Sequence, residues 1–218
     1  MAARLGYDMQ LKELKNQMLL LGSMVEDVIQ ETIKALTNQD IEKARKIASG
    51  DEKINEQVRK VEQQCYTILL RQQPIAKDLR AVSAALKMLT DMERIGDHGA
   101  DISELTLLMS NSTYPGEIRL IEEMAKETSI MLIEAVDAFA QQDSDKAQHV
   151  IDNDDTVDRL FVSVKDAIAR SIQTDSADPM QLLDLLMVAK YLERIGDHAT
   201  NIAEWVLFAV TGDFRSVQ

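Results

Sequence analysis

Apolar residues recur along this chain at helical spacing, in long runs broken only by a few short polar stretches. From residue 7 to 37 the positions Leu11, Leu14, Met18, Leu21, Val25, Val28, Ile29, Ile33 and Leu36 keep that spacing, which predicts a first helix. Asn38-Gln39-Asp40 interrupts it. A second helix is predicted over 41–71, bent or broken at Ser49-Gly50. Pro74 marks the next boundary, because the residue before a proline avoids helical geometry. A third helix is predicted over 76–109. The stretch 111–116, Asn-Ser-Thr-Tyr-Pro-Gly, has turn chemistry and reads as a linker. After it the order repeats, with helices predicted over 118–140, 144–172 and 180–210.

The two halves are also alike residue by residue. Glu93-Arg94-Ile95-Gly96-Asp97-His98 recurs unchanged as Glu193-Arg194-Ile195-Gly196-Asp197-His198. Ala35-Leu36 and Asp40 match Ala138-Phe139 and Asp143, and Asp51, Ile54, Asn55 and Val58 match Asp154, Val157, Asp158 and Phe161. The offset is 103 there and 100 in the third helix, as if one connection had lost three residues. Such self-similarity marks a duplication. The expected fold is all-α: two tandem, duplicated three-helix bundles, one over residues 1–112 and one over 117–218.

Composition agrees with long helices and narrows the function. Aromatics make up 4% of the chain, with three prolines and eight glycines. No apolar run approaches the ~20 residues of a membrane span, and nothing resembles a signal peptide. The one cysteine, Cys65, lies in an apolar helical pattern, which suggests a buried structural thiol and a reducing cytoplasm. The formal charge of −13 falls mostly on the second half, with no basic patch to offset it, so direct nucleic-acid binding is disfavoured.

Some of that acid is placed for chemistry. A helix advances 100° per residue; with Glu93 at zero, Asp97 lies at about 40°, Glu104 at about 20° and Asp101 at about 80°. Val82, Leu86 and Leu89 lie on the same stripe, so the carboxylates extend an apolar face. The second repeat does the same with Glu193, Asp197 and Glu204, and has Asn201 where the first has Asp101. Carboxylates on a buried face need a counter-charge. Arg94 and Arg194 point about 100° away, so a metal ion is the more economical partner for acidic oxygens. Asp51 with Asn55, and Asp154 with Asp158, are i,i+4 pairs on the second helices and offer matching ligands. His98 and His198, about 140° off the stripe, are expected at a surface or an interface. His149 is expected at the surface and Trp205 in the core. No nucleophile or phosphate-binding loop accompanies the acids.

Gln73-Pro74-Ile75-Ala76-Lys77-Asp78-Leu79-Arg80, Leu86-Lys87 and the repeated Glu-Arg-Ile-Gly-Asp-His resemble the PhoU family of phosphate-uptake regulators. So do Tyr7-Asp8, Gly22-Ser23-Met24-Val25-Glu26 and the closing Gly212-Asp213-Phe214-Arg215. The resemblance covers essentially the whole chain. It implies a cytoplasmic, non-enzymatic protein that often dimerises and carries metal clusters, with iron and zinc the associated metals. It also implies negative regulation of the phosphate-starvation response, by passing the state of a Pst-type transporter ATPase to a PhoR-type sensor histidine kinase. Carried onto this chain, the motif acids are Glu93, Asp97 and Asp101, then Glu193 and Asp197; Asn201 leaves the second site one charge short. The alternative is a ferritin-like helical-bundle metalloenzyme. Those proteins use Glu-x-x-His, ligands three apart, whereas the spacing here is Glu-x-x-x-Asp with the histidine off the stripe.

Overall fold

The structure, a computed structural model, describes residues 2–50, 52–72, 74–110, 118–174 and 178–213. The stretch expected to link the halves, 111–116, lies outside them. Seven helices follow in order: α1 (Ala2–Asn38), α2 (Ile41–Ala48), α3 (Glu52–Gln72), α4 (Ala76–Leu108), α5 (Ile118–Gln141), α6 (Ser144–Gln173) and α7 (Pro179–Thr211). The first bundle is α1, α2–α3 and α4; the second is α5, α6 and α7. The predicted second helix of the first half is therefore two helices. Gly50 sits at φ +82° between them, where the second repeat has Asn153 and α6 runs on without a break. Glycine adopts that left-handed geometry without steric cost.

The duplication extends to the turns. Gln39 and Gln142 both take left-handed geometry, at φ 52° and 59°. Asp40 N–H donates to Ala35 O at 2.9 Å and Asp143 N–H to Ala138 O at 3.0 Å, and each glutamine N–H donates to the carbonyl three residues back. These are paired Schellman closures, with glutamine where glycine is usual. Each aspartate then caps the next helix, Asp40 accepting from Lys43 N–H and Asp143 from the Asp145 and Lys146 N–H groups. One residue thus ends one helix and starts the next.

The bundles lie side by side, α1 against α5 and α4 against α7. Gly22 permits the first contact: a Cβ there would stand 3.0 Å from Val136 Cγ1. The second is the most extensive helix pair in the molecule, and it is antiparallel. Arg80, at the start of α4, donates to Ala209 O near the end of α7 at 3.4 Å, and Lys87 lies 5.8 Å from the Trp205 ring. Buried residues from both repeats, from Leu14 to Val206, make one continuous apolar core. Cys65 belongs to it, fully buried, and burial pushes its thiol up to about 12.

The left-handed glutamines cost energy that glycine would not. Gln142→Gly is expected to stabilise the fold by up to about 1 kcal/mol, and Gln142→Val to destabilise it, both read by chemical denaturation.

Candidate functional site

Each motif helix presents different residues to three neighbourhoods. Towards its own bundle, Ile95 and Ile195 are fully buried. The motif glycines face the second helix at equivalent places. A Cβ on Gly96 would meet Ile54 of α3 at 3.9 Å, and one on Gly196 would meet Val157 of α6 at 3.3 Å. The second repeat is the tighter one. Tighter still is Gly99, which the repeat does not flag because Ala199 replaces it: a Cβ there would lie 2.7 Å from Val28 Cγ1.

The second neighbourhood is the other motif helix. His98 is 8% exposed, and its ring centroid lies 5.6 Å from that of His198 and 5.4 Å from that of Tyr191. His198 Nδ1 is 2.9 Å from Asp91 Oδ1, and Asn201 Nδ2 donates to the same oxygen at 3.2 Å. His98 Nδ1 is 3.1 Å from Asp101 Oδ2. Burial pulls the His98 pKa below its ordinary value, outweighing the hydrogen bond to Asp101. The motif histidines therefore lie in the interface between the repeats, and Asp101 and Asn201 are engaged there too. Asp91 anchors that interface, yet it escaped notice in the sequence because its counterpart is Tyr191.

The remaining carboxylates form two acidic clusters. In the first repeat Glu93 and Asp97 line a cleft of about 940 Å³ with Asn55, Gly96 and Ala100, and with Asp27, Glu31, Asp40 and Glu42 from α1 and the α2 region. Asp51 lies outside the described residues. Glu31 accepts from Lys34 at 2.8 Å and Lys43 at 2.5 Å, which hold its carboxyl down to about 2. Arg94 reaches Asp97 at 3.4 Å in an exposed pair. The expected stripe is thus buried at Val82 and Leu89 but open to solvent at Glu93 and Asp97. The break between α2 and α3 is the physical reason, because Ser49 and Gly50 line the same cleft.

In the second repeat α6 passes the same level unbroken. Asp154 and Asp158 face Glu193 and Asp197, and Thr200 donates to Asp154 at 3.2 Å. Lys190 donates to Glu193 at 2.5 Å. Although Asp197 is exposed, partial loss of hydration, then Glu193 and Asp154, push its carboxyl up to about 6 against the pull of Lys190. Burial likewise raises Asp154. The cluster therefore carries more negative charge than its surroundings neutralise. Among the described residues, no three His, Cys, Asp or Glu side chains are gathered as they stand into a set that could hold a metal ion. Outside the clusters, His149 is exposed beside Glu134 at 3.2 Å, and Trp205 packs edge-on to Phe208.

The model of the PhoU domain matches this chain twice, over residues 18–106 and 121–206. The chain belongs to the PhoU family. It is 33% identical over 207 residues to the phosphate-specific transport system accessory protein PhoU homolog of Clostridium acetobutylicum, covering 94% of each chain. It is 31% identical to the phosphate-specific transport system accessory protein PhoU of Escherichia coli, over 97% of this chain and 88% of the other. The crystal structure of PhoU from Pseudomonas aeruginosa superimposes with a TM-score of 0.86, at 31% identity, over 95% of this chain and all of that one. The all-α fold of two duplicated three-helix bundles is that of PhoU. Among the described residues, no helix is long and apolar enough to cross a membrane.

Asp91→Ala leaves His198 and Asn201 without their shared acceptor at a largely buried position. A loss of about 1–3 kcal/mol in unfolding free energy is expected, measured by chemical denaturation. The raised Asp197 pKa gives a pH signature. Between about pH 4 and 6 the folded chain keeps a proton there that the unfolded chain has released, so stability falls as pH rises through that window. Asp197→Asn should match the parent near the bottom of the window and be the more stable protein above it. Thermal unfolding in chelator at several pH values reads the difference.

Proposed function

We propose that this chain is a non-enzymatic regulator accessory to a phosphate-uptake system. The observation that carries the reading is similarity along nearly the whole chain to PhoU proteins described as accessory to phosphate-specific transport, together with agreement in fold. In this reading it acts in the cytoplasm as a homodimer and contacts a Pst-type transporter ATPase and a PhoR-type sensor histidine kinase. Phosphate sufficiency at the transporter then restrains the starvation response.

The acidic clusters are the proposed metal sites, with iron or zinc as the expected ions. What supports this is donor chemistry. Asp154, Asp158, Glu193 and Asp197 act on one another electrostatically, and Asp197 holds its proton unusually tightly for a carboxyl. Oxygen donors crowded in this way favour a small divalent cation. Such a cation would supply the positive charge that the cluster lacks. Glu93, Asp97 and Asn55 offer the same donor types in the first cleft, with Asp51 completing the sequence pattern. Asp101 and Asn201 would first have to leave His98 and Asp91. Binding at either cluster requires its carboxylates to turn towards a common point.

Two measurements test this. Metal analysis of tag-free protein should find more than one ion per chain, lost in a Glu93→Ala, Asp97→Ala, Glu193→Ala, Asp197→Ala variant. Equal metal in both proteins would remove the ligand assignment. Deleting the gene should derepress phosphate-responsive expression in phosphate-replete medium, and unchanged expression and uptake would remove the regulatory role.

A further inference from the structure

The second acidic cluster brings its own cation. Lys190, one turn before Glu193 on α7, puts its Nζ 2.5 Å from Glu193 Oε2, in a pair whose side chains are 39% and 15% exposed. The same Nζ lies 5.5 Å from the centre of the Phe161 ring on α6. The ammonium is thus held between an acid and an aromatic face, on the two helices that supply Asp154, Asp158 and Asp197. The first repeat is built differently: Thr90 stands in place of Lys190 and Val58 in place of Phe161, and the lysines lining its cleft, Lys43, Lys46 and Lys53, come from α2 and α3 instead of the motif helix. Its motif pair, Arg94 with Asp97, is well hydrated, the two side chains being 62% and 55% exposed. Water and salt screen such a pair strongly, whereas a less hydrated pair backed by an aromatic ring keeps more of its attraction.

We infer that Lys190 is a tethered competitor for divalent cations at the second acidic cluster. The inference rests on the metal-binding reading of the clusters and adds a control to it. A single ammonium offsets only part of the charge on four carboxylates, so a divalent ion still gains by entering. To use Glu193 as a ligand the ion must break the Lys190 pair, and the flexible four-carbon stem of lysine lets the ammonium leave for solvent. The second cluster therefore loads at a higher ion concentration than its carboxylates alone would need, and loading releases Lys190.

The test uses Mn²⁺, an ion suited to oxygen donors, on the full chain. In a Glu93→Ala, Asp97→Ala background only the second cluster remains, and calorimetry compares that protein with the same protein carrying Lys190→Met. Methionine keeps an unbranched stem against Phe161 and removes the charge. About tenfold tighter Mn²⁺ binding is expected, the scale of a hydrogen-bonded charge pair. In the unmodified protein, acetylation of Lys190 relative to the exposed Lys165, read by peptide mass spectrometry, should rise severalfold on adding saturating Mn²⁺. Mn²⁺ bound equally well with and without Lys190, or Lys190 acetylation unmoved by bound Mn²⁺, overturns the inference and leaves the metal reading intact. No Mn²⁺ bound by either protein overturns both.

Discussion

The packing of α4 against α7 is the constraint on which the other features depend. These helices carry the repeated motif, and each must bury one side in its own bundle and another against its counterpart. What remains of the circumference is the side that carries Glu93 and Asp97, or Glu193 and Asp197. The acids are therefore set at the margin of each bundle, beside the second helix, instead of at the molecular centre. The centre holds histidines, whose neutral form tolerates burial better than a carboxylate does. Asp91 and Asp101 are the carboxylates that do reach it, and their histidine and asparagine partners explain how they are tolerated there.

Within that shared frame the repeats have diverged in hydration. A left-handed glycine ends α2 beside the first cluster, and the resulting cleft keeps Glu93 and Asp97 in water. The unbroken α6 crowds the second cluster, brings Val157 closer to the motif glycine and raises the affinity of Asp197 for protons. Crowding alone would make that cluster hard to form. Lys190 offsets part of the repulsion, and Thr200 satisfies part of Asp154. One backbone break thus separates an open acidic cleft from a cluster in which Glu193 is largely covered while Asp158 and Asp197 stay exposed.

Much of the fold was legible in the sequence because long amphipathic helices and an exact repeat are strong signals. The helical spans fall within a few residues of their expected ends, and Ser49-Gly50 marked the break. The turns at Gln39 and Gln142 were less legible, since glutamine carries no turn signature and only the matched aspartates hinted at equivalence. The angular position of Glu93, Asp97 and their counterparts followed from helix geometry. Their exposure did not, because it depends on whether a second helix passes unbroken. The roles of Asp101 and Asn201 were hidden for another reason: His98 competes for the first and Asp91, far away in the chain, for the second. Searching for what the repeats share also hides what distinguishes them. Asp91, Lys190 and Thr200 all lie outside the identical hexapeptide.

That hexapeptide recurs as a block because its residues answer to every neighbourhood of the helix at one level. Isoleucine fills the bundle core, glycine admits the second helix at Ile54 or Val157, histidine meets the opposite repeat, and the two carboxylates line the outer cluster. The two copies are not equally constrained: an added Cβ at Gly196 would press on Val157 at 3.3 Å, whereas at Gly96 it would meet Ile54 in ordinary contact at 3.9 Å. Positions just before the block differ between the repeats and take up different partners. Asp91 holds the interface where Tyr191 lies against the His98 ring in the other repeat, and Lys190 is a counter-ion where the first repeat has Thr90. The duplication therefore fixes where the acidic clusters stand, and the residues around each one, Lys190 beside the second motif and the lysines of α2 and α3 beside the first, set how much charge it carries.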